Sequence, residues 1–206
     1  MAKTYFTADL HIGHANILKY HPARIEGLGL DPGSPTLLRD HDRRLLEIWN
    51  DTVKPQDNVY ILGDMFWAGY KPTYERISQF NGHKFLVLGN HDNLSEEALL
   101  AFDEVHEGFG RMFCNQDTGH RFYAMMSHYA MLVWDRRHYG SVMLHGHSHG
   151  MLDDFNRASG ELRVDVGIDG ALARYNLVSL EDIYNLFEGK GLGEKRHDMP
   201  KQTKLM

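Results

Sequence analysis

The sequence contains a single cysteine, Cys114, among 206 residues, and this scarcity narrows the kinds of site that the chain can carry. One cysteine cannot form an internal disulfide, and it excludes a structural zinc site built from several thiolates. No apolar run is long enough to span a membrane, and we find no signal peptide before Tyr5. From these absences we expect a cytoplasmic protein that does not bind a membrane.

The chain also lacks an extended basic stretch, and its formal net charge is -6. Proteins that hold nucleic acid through its phosphates need clustered lysine and arginine side chains. We therefore expect nucleic acid as a partner only if it is a substrate, with its phosphate attracted by bound cations. Hydrophobic residues make up 42% of the chain and charged residues 24%, which is typical of a globular protein.

No linker or internal repeat divides the chain, so we assign residues 1–189 to a single domain. Residues 21–35 contain three prolines and three glycines, and we interpret them as an irregular surface loop whose role the sequence leaves open. Residues 190–206 are polar and lack apolar periodicity, which predicts a flexible C-terminal tail. The sequence does not indicate an oligomeric state.

Histidine is abundant, with 14 residues, and several of these histidines follow short apolar runs. Residues 85–88 have the composition of a strand buried on both faces, and Gly89 ends that run. Asn90, His91 and Asp92 come next, at the carboxyl end of the predicted strand. Ligands of open α/β sheets bind at such strand ends. An ordinary turn explains this one motif equally well.

The same layout recurs at four other predicted strand ends, which are residues 5–8, 58–62, 122–126 and 142–144. Each of these runs is followed by side chains that can coordinate a metal ion. Chance produces one such strand end readily but rarely produces five in succession. Together the five strand ends provide seven candidate ligands: Asp9, His11, Asp64, Asn90, His128, His147 and His149.

Carboxylates, imidazoles and an amide oxygen, without a thiolate, suit cations such as Mn²⁺, Fe, Zn²⁺ or Ni²⁺. Seven ligands are too many for one ion that keeps an open position, and they suit two ions that share a carboxylate. Two such ions, roughly 3.5–4 Å apart, can activate a water and clamp a phosphoryl group. We therefore expect two divalent metal ions, with Mn²⁺ preferred.

The motifs D-L-H at Asp9, G-D at Asp64, G-N-H-D at Gly89, S-H at His128 and G-H-S-H at Gly146 resemble those of the calcineurin-like metallophosphoesterases. The resemblance is to the small bacterial and phage type, and it covers residues 5 to about 180. It implies an α/β fold, a four-layer α/β/β/α sandwich of two mixed β-sheets flanked by helices. It also implies a metal-dependent hydrolase of phosphate esters, in which a metal-bridging hydroxide attacks phosphorus.

The resemblance further implies a role for each ligand. The first metal would be held by Asp9, His11 and His149. The second metal would be held by Asn90, His128 and His147, and Asp64 would bridge the two. His91 would protonate the leaving oxygen or stabilise charge in the transition state, and Asp92 would orient His91.

The chain departs from the family pattern at two places. A long insertion that contains residues 21–35 separates Asp9 from Asp64, and it is expected to shape access to the site. Trp67 occupies a position where the family often has an acidic or amide residue. We therefore expect the surroundings of the bridging position to differ from those of other members.

Candidate substrate contacts are His14 and Asn16, followed by Arg137 and Tyr139, although a structural or surface role competes with each assignment. Aromatic and arginine groups in residues 134–139 would accommodate a base or a second ester. A phosphodiester or a small nucleotide-like substrate is therefore preferred over a monoester. The alternatives are a nuclease of the same superfamily and a catalytically silent metal-binding interaction module.

Overall fold

The computed structural model describes residues 2–195, and within them the chain forms nine strands and seven α-helices. The strands are β1 Thr4–Thr7, β2 Asn58–Leu62, β3 His83–Val87, β4 Glu104–His106, β5 Gly108–Cys114, β6 Arg121–Ser127, β7 Val142–His145, β8 Arg163–Asp165 and β9 Val178–Ser179. The helices are α1 Ile17–Tyr20, α2 Ala23–Gly27, α3 Leu37–Thr52, α4 Tyr74–Ser78, α5 Glu96–Leu99, α6 Asp153–Ala158 and α7 Leu180–Phe187. One turn of 3-10 helix spans Arg137–Tyr139.

The strands form two mixed sheets that face each other. The first sheet has the spatial order β4-β3-β2-β1-β9, with β1 to β4 parallel and β9 antiparallel. The second sheet has the order β5-β6-β7-β8, with β6 to β8 parallel and β5 antiparallel. The carboxyl ends of β2 and β6 meet, because Nδ1 of His128 lies 2.8 Å from the carbonyl oxygen of Leu62. Both sheets therefore place the ends of their parallel strands at one shared edge.

Strand β1 is buried on both of its faces, as its apolar composition predicts. Phe6 stacks on Tyr60 of the neighbouring strand β2 at 5.4 Å and points toward the second sheet, where it meets Phe113 of β5 edge-on at 5.4 Å. Its neighbour Tyr5 points the other way, into the core beneath the helices. This alternation is the period of two that a strand imposes on its side chains.

Helices cover the outer faces of both sheets. Helix α3 packs Leu45, Ile48 and Trp49 against the outer face of the first sheet. On the second sheet, Asn156 of α6 lies 3.0 Å from Nε2 of His145 and accepts a hydrogen bond from Arg163. The predicted arrangement of two mixed sheets flanked by helices is confirmed. Among residues 2–195, no helix is both long enough and apolar enough to cross a membrane.

The segment 21–35 is not an irregular surface loop throughout, and this part of the sequence interpretation is wrong. Residues 23–27 form α2, and the side chain of Arg24 is fully buried. The prolines and glycines of the segment give no sign of this, because the partners of Arg24 lie elsewhere in the chain. The segment therefore belongs partly to the interior.

Residues just beyond 189 contact the rest of the domain. Leu192 is buried in the core between the sheets, and its carbonyl oxygen lies 2.8 Å from Nε2 of His120. The N–H of Gly193 donates a hydrogen bond to the carbonyl of Gly140. These contacts place residues 190–193 in the domain, whereas the sequence assigned them to the tail. Residues 196–206 of the predicted tail lie outside the described residues.

Replacing the central ring of the inter-sheet core is expected to destabilise the fold. Phe6→Ala removes a fully buried side chain and leaves a cavity, so the free energy of unfolding should fall by about 3–5 kcal/mol. Urea unfolding of metal-free protein measures this loss without a contribution from bound ions. Leu100→Ala, at a position that is 76% exposed, is the control and should change stability by less than about 0.5 kcal/mol. Equal losses for the two variants would contradict the packing described for Phe6.

Candidate metal centre

The structure brings Asp9, His11 and His149 together at the shared edge of the sheets. Their ligand atoms all lie within 4.8 Å of one another, although Asp9 and His149 come from opposite sheets. The Nε2 atoms of His11 and His149 are 3.2 Å apart. Two imidazole nitrogens that face each other beside a carboxylate form a suitable set of donors for one cation.

A second group lies beside the first and consists of Asp64, His128 and His147, again with ligand atoms within 4.8 Å. The amide oxygen of Asn90 is 3.0 Å from Nε2 of His128. Nδ1 of His128 faces the carbonyl oxygen of Leu62, so Nε2 is the nitrogen that points into the group. All seven candidate ligands of the sequence therefore lie at this one edge.

Asp64 belongs to the second group but also faces the first, and its role as a bridging ligand stays a prediction. Its Oδ2 atom is 3.7 Å from Nε2 of His11 in the first group and 3.6 Å from Nε2 of His128 in the second. The same oxygen is 3.9 Å from Nε2 of His91. One carboxylate oxygen thus faces imidazoles of both groups and the imidazole predicted to act as an acid.

The backbone at five of these residues is left-handed. The φ angles are 60° at Asp9, 52° at His11, 54° at Asp64, 63° at His147 and 47° at His149. Eight non-glycine residues within 2–195 have positive φ, so more than half of them are candidate ligands. Residues in this conformation are uncommon and tend to cluster at functional sites.

Glycines that precede ligands make room for ligands of the neighbouring strand. A Cβ atom on Gly63 would lie 2.3 Å from Nδ1 of His128, and one on Gly89 would lie 2.2 Å from Oδ1 of Asp64. Both separations are far below van der Waals contact. The glycine-then-ligand pattern therefore reflects the close approach of adjacent strand ends, a reason that the sequence alone does not reveal.

Asp92 does not orient His91, so the role predicted for it is corrected. Its carboxylate accepts hydrogen bonds from the backbone N–H groups of Asp64 at 2.7 Å, Met65 at 3.1 Å and Gly89 at 2.9 Å. Burial raises the pKa of Asp92 to about 6, and these hydrogen bonds oppose that rise. Asp92 fixes the turn that carries Asp64, because its two oxygens are taken by this backbone.

The ring of Trp67 contacts His91 instead, at a tilted angle of 36°. The ring of Trp67 lies 3.8 Å from that of His14 and 4.6 Å from that of His91, measured between centroids. His14 therefore lies beside the site, and its role as a substrate contact stays a prediction. Asn16 is exposed next to it, and its backbone N–H donates to Nδ1 of His14 at 3.3 Å. Trp67 forms a wall of the site that the imidazoles of His14 and His91 both contact.

Arg137 and Tyr139 are not brought to this edge, which corrects their assignment as substrate contacts. They precede β7, whereas His147 follows it, so the length of the strand separates them from the ligands. Arg137 forms a two-pronged ion pair with Glu161. Tyr139 borders a different cavity. The sequence could not exclude them, because the direction of the loop relative to the sheet depends on tertiary contacts.

Two residues that the sequence interpretation missed support the first group. Oδ2 of Asp169 lies 2.6 Å from Nδ1 of His149, which leaves Nε2 of that ring facing His11. Arg24 donates to both carboxylate oxygens of Asp169, at 2.8 and 2.6 Å. Asp169 directly follows an apolar run, so the signal that identified the other strand ends was available for it. Nothing local to Arg24 marks it as part of the site.

Asp165 was also missed, and it holds the loop that carries His147 and His149. Its carboxylate accepts hydrogen bonds from the hydroxyl of Ser148, from the N–H of Gly150 at 3.0 Å and from the N–H of Gly167 at 2.7 Å. Ser148 and Gly150 precede β8 in the chain, whereas Gly167 follows it. The loop is therefore fixed by a buried carboxylate of the neighbouring strand.

The pKa values of two buried candidate ligands, Asp9 and His11, are strongly shifted when no cation is present. Burial, reinforced by Asp165 and Asp64, holds the pKa of Asp9 well above its usual range. Burial and the neighbouring imidazole of His149 lower the pKa of His11 to about 2. Metal ligation requires deprotonated carboxylates and neutral imidazoles. A bound cation would compensate the buried carboxylates, so the residues present fit a metal centre.

Asp169 shows the opposite behaviour. Burial alone would raise the pKa of this carboxyl group, but hydrogen bonds from His149 and Arg24 hold it well below the usual range. The carboxylate therefore stays ionised. An ionised carboxylate on Nδ1 fixes the tautomer and the orientation of an imidazole ligand.

Comparisons with known proteins agree with this geometry. The family model for calcineurin-like phosphoesterases matches residues 2–165. The chain is 30% identical over 210 residues to the Gene 66 protein of Mycobacterium phage L5, which covers 90% of this chain and 94% of that protein. A protein of Methanocaldococcus jannaschii is 25% identical over 192 residues, covering 91% and 93% of the two chains.

The fold also occurs in a solved structure, that of the Aquifex aeolicus protein AQ665. The two structures superpose with a TM-score of 0.61 at 23% sequence identity, covering 90% of this chain and 100% of the other. The family match spans most of the chain and includes the strand ends that carry all seven candidate ligands. The chain therefore belongs to the calcineurin-like phosphoesterase family, a family of metal-dependent phosphoester hydrolases.

Proposed function

We propose that this protein hydrolyses phosphodiesters or small nucleotide-like phosphate esters in preference to monoesters, with two divalent metal ions, Mn²⁺ being preferred. The position of Asp64 carries the proposal, because its Oδ2 atom faces His11 on one side and His128 on the other. The first ion would be held by Asp9, His11 and His149. The second would be held by Asn90, His128 and His147, with Asp64 shared.

When bound, two such ions supply Lewis-acid stabilisation of the phosphoryl oxygens and lower the pKa of water. The chain contributes the orientation of the ligands. His149 and His128 each direct Nε2 into the site, because their Nδ1 atoms face the carboxylate of Asp169 and the carbonyl of Leu62. Asp92 holds the turn that presents the shared carboxylate. Such outer partners set the affinity of a metal site.

His91 is the group that we assign to the leaving oxygen. Its side chain is 30% exposed, so it can reach a bound substrate, and its Nε2 atom lies 3.9 Å from Oδ2 of Asp64. Its backbone N–H donates to Oδ1 of Asp64 at 2.8 Å, and Trp67 covers its ring. A restrained imidazole beside the site can protonate a departing alkoxide or phenolate.

The preference for a diester now depends on the border of the site, because Arg137 and Tyr139 lie elsewhere. Trp67 and Tyr129 are neutral rings at this border. Tyr129 is 50% exposed, and its ring lies 4.7 Å from that of His147. Arg24 is fully buried, so its charge is not available to a substrate. A diester carries one negative charge and offers a second organic group to such rings, which suits this border better than a doubly charged monoester.

Adding Mn²⁺ to metal-stripped protein is expected to restore hydrolysis of bis-p-nitrophenyl phosphate, at a higher kcat/KM than for p-nitrophenyl phosphate. Release of p-nitrophenolate measures both rates. Faster hydrolysis of the monoester would overturn the proposed preference. Two bound ions without turnover of either ester would favour the nuclease or the binding module, and short oligonucleotides would then separate those two functions.

Removing the imidazole of His91 is expected to slow hydrolysis by a factor that depends on how much the leaving group needs a proton. His91→Asn should lower kcat by about 10²–10⁴-fold on diphenyl phosphate, whose phenolate needs a proton, and by less on bis-p-nitrophenyl phosphate. His83→Asn is the control, because His83 is exposed and pairs with Asp103 away from the site. An equal loss on both esters would exclude His91 as the acid.

Asp64→Asn tests the shared carboxylate. The substitution keeps the size of the side chain but removes its charge, so at least one of two Mn²⁺ ions should bind about tenfold more weakly or not at all. Isothermal titration of metal-stripped protein gives the number of ions and their affinities. Asp103→Asn provides a control at an exposed ion pair. Two ions with native affinities in Asp64→Asn would rule out a bridging role.

A further inference from the structure

Arg24 lies in the insertion between β1 and α3, and its guanidinium is fully buried. Burying an arginine is unfavourable unless its charge is paired and its N–H groups find acceptors. Asp169 provides the opposite charge, with two hydrogen bonds to the guanidinium. The remaining contacts of Arg24 lie directly behind the first group of ligands.

On one side, Arg24 binds the backbone that carries Asp9 and His11. Its Nη2 atom donates to the carbonyl of Asp9 at 2.5 Å, and Nη1 donates to the carbonyl of Leu10 at 3.0 Å. Asp9 and His11 both have left-handed φ angles. Such backbone persists only where surrounding contacts hold it, and these two hydrogen bonds fix the peptide groups between the ligands.

On the other side, Arg24 reaches His149 through Asp169. The carboxylate that accepts from Arg24 also lies 2.6 Å from Nδ1 of His149. One guanidinium therefore connects the ligands of β1 with a ligand of the second sheet. The fork of arginine matches this task, because it can bind a carboxylate with two prongs and still donate to carbonyls.

A chain of contacts continues from Arg24 into α3. Nη1 of Arg24 is 3.2 Å from Nε2 of His41, and Nδ1 of His41 is 2.9 Å from Oδ1 of Asp42. The other oxygen of Asp42 accepts from the N–H of Gly13 at 3.0 Å, in the turn after His11. The backbone around the first group is thus held on both sides of His11.

We propose that Arg24 is a positioning residue for the first metal, because its buried guanidinium fixes the backbone of Asp9 and His11 and, through Asp169, the ring of His149. The proposal rests on the proposed two-metal function. It makes the insertion part of the metal centre rather than only a border of the substrate cleft.

Another interpretation of the same side chains is a third cation held by His21, His149 and Asp169, whose ligand atoms also lie within 4.8 Å. The contacts of Asp169 argue against it. Its Oδ1 atom accepts from Arg24, and its Oδ2 atom faces both Arg24 and His149. The guanidinium already supplies the positive charge at this carboxylate, so we assign Asp169 to the support of His149.

The test is the affinity of metal-stripped protein for Mn²⁺, measured by isothermal titration. In Arg24→Met one of the two ions should bind about 10–100-fold more weakly, while the other keeps its native affinity. Arg24→Lys should rescue only part of the loss, because an ammonium cannot reproduce the fork. Arg163→Met is the matched control: it removes another buried arginine, one that binds Asn156 and Met131, and should leave both affinities native.

A second readout separates positioning from general stability. In the Zn²⁺-loaded wild type, ¹⁵N NMR should show His149 protonated at Nδ1, and Arg24→Met should weaken this signature. If Arg24→Met does not fold, Arg24→Lys replaces it in both measurements. It keeps a positive charge beside Asp169 but not the fork, so one ion should still bind more weakly than in the wild type. Native affinity for both ions, with only a lower Tm, would make Arg24 purely structural and overturn the proposal.

These results are distinct from those that test the function. If the wild type binds two ions and hydrolyses the diester while Arg24→Met keeps both affinities, the positioning role fails and the function stands. If the wild type binds two ions without turnover and Arg24→Met weakens one of them, the positioning role stands and the function fails. A wild type that binds no metal would overturn both.

Discussion

The constraint on which this structure depends is the crowding of carboxylates and imidazoles at one edge shared by two sheets. Asp64 faces imidazoles on two sides, and Asp9 is fully buried close to other acids. Like charges and desolvated donors resist such proximity, which is visible in the raised pKa of Asp9 and the lowered pKa of His11. A fold that keeps these groups together must hold their backbone by other contacts, and a cation then becomes the natural partner.

Buried side chains provide those contacts, and they act on the backbone more than on the ligands themselves. Asp92 binds the turn of Asp64, Asp165 binds the loop of His147, and Arg24 binds the carbonyl of Asp9. Left-handed backbone at a non-glycine residue costs about 1–3 kcal/mol, so five such ligands need this support. These backbone contacts explain how the two groups of candidate metal ligands stay together although their carboxylates and imidazoles resist such proximity.

Two features of this chain lie directly against the candidate ligands. The insertion after β1 supplies Arg24 from α2, so a segment that resembles a surface loop in sequence reaches behind the metal ligands. Trp67 stacks on His14 and contacts the ring of His91, the proposed acid, at a tilted angle. The similar fold of the Aquifex aeolicus protein, at 23% identity, shows that the sheets tolerate wide variation in sequence.

The sequence by itself determined the two-sheet α/β architecture and the seven side chains that meet at its edge. The seven side chains follow from a local rule, because polar residues directly after apolar runs lie at strand ends. The arrangement of the strands in two sheets was implied by the resemblance of the motifs to a known family. Whether these side chains hold metal ions stays a proposal for the titrations. Tertiary structure alone decided which groups support them. Asp92 serves the backbone and not His91, Arg137 points away from the site, and Arg24 meets Asp169 across 145 positions of the chain. Such pairs depend on how the strands are ordered and which way the loops turn, and no local pattern of residues encodes that.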